Sequence, residues 1–159
     1  KEYDFNHKIT KKGYWFRWLW YKNNKTRNNL MKKKILIVIA DYYKDISNGL
    51  LRSAKNSLPN NFALKIIKVP GVFEIPVTIS KNIKKYHAFI ALGCVIKGQT
   101  PHFDFISQAS TNAIMNISIK SKKPIGNGII TCLNMKQAKA RKKKGIEAAK
   151  AIISILLQK

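Results

Sequence analysis

Four short apolar runs, at residues 35–40, 63–69, 88–96 and 125–131, each followed by a stretch of helical spacing, constrain this chain more than any other feature. The first is continuous Ile, Leu and Val ending in Ala40, without polar alternation. Such a run reads as a strand buried on both faces, as in a parallel sheet. Ile46, Leu50, Leu51, Ala54 and Leu58 then recur at helical spacing, and Pro59-Asn60-Asn61 ends that helix. The second strand reaches Pro70-Gly71 and precedes a helix expected over residues 74–84, with Pro76 in its first turn. The third leads into Lys97-Gly98-Gln99-Thr100-Pro101-His102 and a helix to about residue 120. After the fourth, residues 134–157 are helical in pattern, with a break near Gly145. Strand and helix alternating through short loops predict an α/β layer fold on a four-stranded parallel sheet with right-handed crossovers. One domain suits this length.

Charge narrows the function classes. The 159 residues carry 31 Lys plus Arg against 7 Asp plus Glu, a net charge of +24. That balance suggests phosphate polymers, but only Arg17, Arg27, Arg52 and Arg141 are arginines, and bidentate phosphate or base recognition favours Arg. Lys, Asn and Ile are abundant together, as AT-rich codons produce. The reading taken is a solvated lysine-rich surface that attracts anionic substrates, with nucleic acid not expected as a partner. No apolar run approaches the roughly 20 residues that span a bilayer. Cys94 and Cys132 lie inside apolar strand runs and read as reduced, buried thiols of a cytoplasmic protein. Residues 1–30 stand apart, with basic residues around Tyr14, Trp15, Phe16, Trp18, Trp20 and Tyr21. They read as a disordered or non-native extension ahead of a domain over residues 31–159, rather than as a signal peptide or a membrane-surface segment.

In open parallel sheets, ligands bind beyond the carboxyl ends of the strands. That rule selects the residues after Ala40, Val69, Ile96 and Thr131. His102 is the histidine so placed, and an imidazole suits proton transfer near neutrality. By spacing alone a lone loop histidine is more often simply solvated. Glu74 opens a helix, where it either binds a ligand or caps. Arg141 stands among Lys139, Lys142, Lys143 and Lys144, an anion site or a solvated helix end. Nucleotide-binding glycine loops, a Gly-x-Ser-x-Gly elbow and metal-spaced Cys/His clusters are absent from the sequence.

Val69-Pro70-Gly71-Val72-Phe73-Glu74-Ile75-Pro76 and Ala91-Leu92-Gly93-Cys94-Val95-Ile96-Lys97-Gly98-Gln99-Thr100-Pro101-His102-Phe103-Asp104 resemble the two signature stretches of the lumazine synthase family. Asn134-Met135-Lys136-Gln137-Ala138-Lys139-Ala140-Arg141 and Lys144-Gly145-Ile146-Glu147-Ala148-Ala149 extend the resemblance over residues 33–155. It implies a three-layer α/β/α, flavodoxin-like domain. It also implies the penultimate step of riboflavin biosynthesis, in which 5-amino-6-(D-ribitylamino)uracil condenses with 3,4-dihydroxy-2-butanone 4-phosphate to give 6,7-dimethyl-8-ribityllumazine, phosphate and water, with neither cofactor nor metal.

By position, the resemblance makes Tyr42 the ring that stacks on the pyrimidine. Val72, Phe73 and Glu74 hold the ribityl-bearing substrate, and Cys94, Val95 and Ile96 offer backbone groups to the uracil. Gln99 and Thr100 bind the butanone phosphate, and His102 is the acid/base. Asn127 and Arg141 are reached from a neighbouring subunit, at the pyrimidine and the phosphate respectively, and Lys144 is a further candidate phosphate contact. A homopentamer is implied, with riboflavin synthase as candidate partner. The short Lys142-Lys143 stretch stands where many members carry a longer Gly-containing bend that bears on assembly into a hollow shell. Two other classes remain beside the enzyme: a flavin- or lumazine-binding relative without turnover, and a basic nucleic-acid-binding protein.

Overall fold

The computed structural model describes residues 33–158, so the reading of residues 1–30 lies outside the described residues. Strands β1 (Lys34–Ala40), β2 (Ala63–Val69), β3 (Ala88–Ile96) and β4 (Ile125–Cys132) form one sheet in the order β2-β1-β3-β4. Every neighbouring pair is parallel, giving the flavodoxin-like topology. Helices α1 (Lys44–Ser57), α2 (Ile75–Asn82), α3 (His102–Ser121), α4 (Met135–Ala140) and α5 (Gly145–Leu156) connect the strands and complete the pattern.

The central strands are buried as their sequences demand. Residues 35–40 of β1 and 88–92 of β3 are at most 2% exposed, so side chains on both faces meet a helical layer. Leu36, Val38, Phe89 and Ala91 pack with Ile75 and Ile79 of α2 and Ile114 of α3. On the other face α1 packs against α5, and α5 against β3 and β4. Burying side chains of this size contributes about 1.5–3 kcal/mol each. The edge strands read differently: β4 alternates buried and exposed residues, and β2 exposes Lys65 and Lys68. Edge lysines also discourage pairing with another sheet.

One helix expectation is corrected and another is met. The helix expected over residues 74–84 is a 3₁₀ turn, Val72–Glu74, followed by α2. Gly71 enters that turn in extended conformation, and Pro76 sits in the first turn of α2, where a missing N–H costs nothing. The break expected near Gly145 is present: residues 134–157 form two helices, α4 and α5, joined through residues 141–144. There Ser53 Oγ of α1 donates to the Lys142 carbonyl at 3.2 Å, and the Lys142 ammonium pairs with Asp45.

Helix α4 is only six residues long and depends on its cap. Gln137 N–H donates to Asn134 Oδ1 at 3.0 Å, and Leu133 N–H donates to Gln137 Oε1 at 2.9 Å. Asn134→Ala is expected to lower stability by about 1 kcal/mol, read as a lower urea midpoint with an unchanged slope. A native midpoint would show that the cap contributes nothing.

What positions a site is the relative length of the central strands. Pairing between β1 and β3 runs from Ile35↔Ala88 to Ile39↔Leu92, whereas β3 pairs with β4 as far as Ile96↔Cys132. Past Leu92, β3 therefore outruns β1, and its peptide groups on that side have no strand to pair with. Asp41 N–H turns instead to the Val69 carbonyl of β2 at 2.9 Å. The resulting crevice lies where the strand order reverses, the place such sheets offer to ligands.

Candidate active site

One open pocket of about 670 Å³ occupies this crevice. Tyr42 and Tyr43 enter it after β1, residues 71–74 after β2, and residues 94–96, Gly98, Thr100 and His102 from β3 and its loop. Of the residues expected from sequence, Tyr42, Val72, Phe73, Glu74, Cys94, Val95, Ile96, Thr100 and His102 are thus brought together. Gly93 makes the meeting possible: a Cβ there would lie 2.7 Å from Val72 Cγ2 and 3.2 Å from Ala40 Cβ. Only a residue without a side chain lets the 72–74 turn close on β3.

Each group has a physical setting. The Tyr42 ring is 74% exposed, a flat apolar face turned to solvent. Glu74 stands at the N-cap of α2 without a side-chain cap bond, so its carboxylate is not engaged in capping. Its backbone carbonyl accepts from Thr78 Oγ1 at 2.8 Å, anchoring the turn. His102 is the first residue of α3, exposed at the pocket wall. Burial, reinforced by Cys132, pushes the Cys94 thiol up to about 12. It stays a neutral thiol, which removes it as a nucleophile, and both cysteines are free and buried.

Four expected residues do not line the pocket of the single chain. Gln99 sits between lining residues Gly98 and Thr100 without joining them in the wall. Asn127 is exposed on β4, its Oδ1 accepting from Ile129 N–H at 3.1 Å. Arg141 is exposed and donates to the Gln137 carbonyl at 3.2 Å. Lys144 is paired with both Glu147 carboxylate oxygens, at 2.7 and 2.8 Å. Conversely, Tyr43 and Phe103, which lie in the stretches selected after β1 and β3 without an assigned role, and Ile106, which lies in neither, also line the pocket. The spacing of Ile106 from His102, one helical turn, was an available signal. Tyr43 had only its place directly after Tyr42.

Among the described residues no three His, Cys, Asp or Glu side chains are grouped to hold a metal ion, and no helix is long and apolar enough to cross a membrane.

Comparison with known proteins shows the family. The family model described as 6,7-dimethyl-8-ribityllumazine synthase matches residues 32–159. A protein of Rhodopseudomonas palustris named 6,7-dimethyl-8-ribityllumazine synthase 1 is 39% identical over 145 residues, covering 83% of this chain and 89% of its own length. The 6,7-dimethyl-8-ribityllumazine synthase of Agrobacterium fabrum is 39% identical over 140 residues, 80% of this chain and 95% of its own. That of Cutibacterium acnes is 37% identical over 132 residues, 77% of this chain and 80% of its own.

Proposed function

The chain belongs to the 6,7-dimethyl-8-ribityllumazine synthase family, and from that membership we infer how its pocket works as an enzyme of riboflavin biosynthesis. The reaction condenses 5-amino-6-(D-ribitylamino)uracil with 3,4-dihydroxy-2-butanone 4-phosphate. The observation that carries the reading is the convergence of Tyr42, Glu74 and His102, from three different strand ends, on one crevice.

In this reading the uracil stacks on Tyr42, and backbone groups of the Cys94, Val95 and Ile96 segment, past the end of its pairing with β1, hold its edge. Val72 and Phe73 flank the ribityl chain, whose hydroxyls donate to the Glu74 carboxylate. Gln99 and Thr100 hold the phosphate of the second substrate through backbone N–H groups and a hydroxyl, as anion nests do. The uracil amine attacks the ketone, and His102 takes a proton from nitrogen and returns one to the departing hydroxyl, which leaves as water. Loss of a carbon-bound proton then expels phosphate. Reprotonation of the resulting enol at the carbon that lost phosphate makes a new ketone from the neighbouring hydroxyl, and closure by the ribityl-bearing nitrogen onto it releases a second water. Holding both substrates in register supplies much of the acceleration.

The positions of Asn127 and Arg141 support a site completed by a second subunit. Both are exposed and outside the chain's own pocket. The single chain also leaves apolar surface open, at Phe105 (65% exposed) and Ile119 (67%) on α3 and at Leu133 after β4. A neighbouring copy would seal such surface while carrying Asn127 to the partner's pyrimidine and Arg141 to the partner's phosphate. Lys144, freed from Glu147, adds a further charge there. A homopentamer is the proposed assembly. The short 141–144 bend leaves it as the unit from which any shell is built, and riboflavin synthase is the partner that would consume its product. We take residues 31–159 as the catalytic unit, since the family match begins at residue 32, and the buried free thiols suit the reducing cytoplasm.

The experiment is product formation: lumazine absorbance and fluorescence from both substrates. No product from the folded oligomer would overturn the reading in favour of a ligand-binding relative. Arg141→Ala should raise KM for the butanone phosphate about 10- to 100-fold, the range for a hydrogen bond to a charged group. KM for the uracil should hold, and so should the sedimentation coefficient. An unchanged phosphate KM would remove Arg141 from the site.

A further inference from the structure

Of the two pocket aromatics to which neither the resemblance nor the reaction assigns a task, Tyr43 and Phe103, Tyr43 is the one that carries a hydroxyl. Its ring centroid lies 4.9 Å from that of Tyr42, with the planes at 76°, an edge-to-face contact. The two neighbours are exposed unequally, Tyr42 open to solvent and Tyr43 half-buried. The backbone holding Tyr43 is fixed: its carbonyl accepts from Ser47 N–H at 2.9 Å, and Ser47 Oγ, itself buried, donates to the Ala40 carbonyl at 2.6 Å. This ties the start of α1 to the end of β1. The Tyr43 phenol has no hydrogen-bond partner among the described residues, although the side chain forms part of the pocket wall. Burial, then Tyr42 and Cys94, hold its proton more tightly than in an ordinary tyrosine, so the hydroxyl is a donor throughout the neutral range.

We propose that Tyr43 is a specificity-determining residue for the pyrimidine: its ring fixes the attitude of Tyr42, and its hydroxyl donates to a carbonyl oxygen of the bound uracil. This rests on reading the pocket as the uracil site. The chemistry is selective. A dioxopyrimidine presents carbonyl acceptors at its edge, and a phenol that finds none is left unpaired in the closed site. Edge-to-face contact leaves the other face of Tyr42 free for stacking and limits its swing.

Phenylalanine keeps the edge contact and removes the donor, whereas alanine removes both. With butanone phosphate saturating, Tyr43→Phe should raise KM for 5-amino-6-(D-ribitylamino)uracil about 3- to 10-fold, the span of one neutral hydrogen bond. Tyr43→Ala should raise it about a further 3- to 10-fold, the span of one aromatic pair. KM for the butanone phosphate should stay native in both, a separation that general loosening of the pocket would not produce. In a Tyr42→Ala background, the difference between Tyr43→Phe and Tyr43→Ala should vanish while the effect of Tyr43→Phe persists, because there is no ring left to steady. Uracil KM unchanged in Tyr43→Phe overturns the donor assignment, and a difference between the two variants undiminished without Tyr42 overturns the buttress. If the alanine variant does not fold, the phenylalanine variant still decides the hydroxyl, and Tyr43→Leu, apolar but not aromatic, replaces alanine in the cycle. Absence of product from the native chain overturns the uracil-site reading and this inference with it. Product from the native chain with an indifferent Tyr43→Phe overturns the hydroxyl's role alone.

Discussion

Replacing His102 by alanine should leave a folded, assembled protein whose turnover falls about 10²- to 10⁴-fold, the usual contribution of a positioned acid/base. The stability half of this expectation follows from placement. His102 is exposed at the first position of α3, and its imidazole makes no hydrogen bond among the described residues, so truncation opens no cavity and orphans no buried group. The activity half follows from the chemistry, because each bond-making step moves a proton and His102 is the only imidazole on the pocket wall. KM for both substrates should stay near native, since the proposed reading gives binding to Tyr42, Glu74 and the loop before His102. His102→Gln should be similarly slow, because it restores hydrogen bonding without a titratable ring. Turnover within a few-fold of native in both variants would assign the proton transfers to solvent or another group.

The largest stability effect is expected far from the chemistry, at Gly126. A Cβ added there would penetrate the Ala148 carbonyl of α5, a backbone group that cannot rotate away. Gly126→Ala should cost about 3 kcal/mol or more, the upper range for overpacking a core, lowering the melting midpoint by about 10 °C. Gly128 is the internal comparison. Its nearest neighbour is Leu92 Cδ2, at 2.6 Å, the end of a side chain able to change rotamer. Gly128→Ala should therefore cost about 1 kcal/mol. Truncating Ala148 to glycine should not rescue Gly126→Ala, because the obstacle is its carbonyl. Equal melting points for Gly126→Ala and the native chain would contradict the close approach of α5 to β4.

Much of this architecture was legible before any coordinates. Strands β2 and β3 begin and end where their apolar runs do, because Asn60-Asn61, Pro70-Gly71 and Lys97-Gly98 punctuate them. The 72–74 turn was not legible, since Pro76 makes the whole segment look like one helix start and only packing under Gly93 winds it tighter. Tyr42, Glu74 and His102 could be nominated from their positions after strands, but the sequence alone cannot say that they share a crevice. The unequal length of β1 and β3 decides that. Asn127 and Arg141 lie outside the pocket of the single chain, and the proposal that they serve a neighbouring copy rests on family resemblance alone. Tyr43 lay in the stretch selected after β1 but drew no role, because a tandem pair of tyrosines carries no period that tells one ring from the other.

The overhang of β3 past β1 also bears on how far this sequence can drift. Peptide N–H and C=O groups are the same whatever codon stands behind them, proline excepted. A mutational tide toward lysine, asparagine and isoleucine rewrites side chains throughout a chain, yet it leaves such a main-chain edge chemically untouched. A site that reads its ligand partly through backbone is buffered against compositional decay, with fewer side chains left to be guarded one by one.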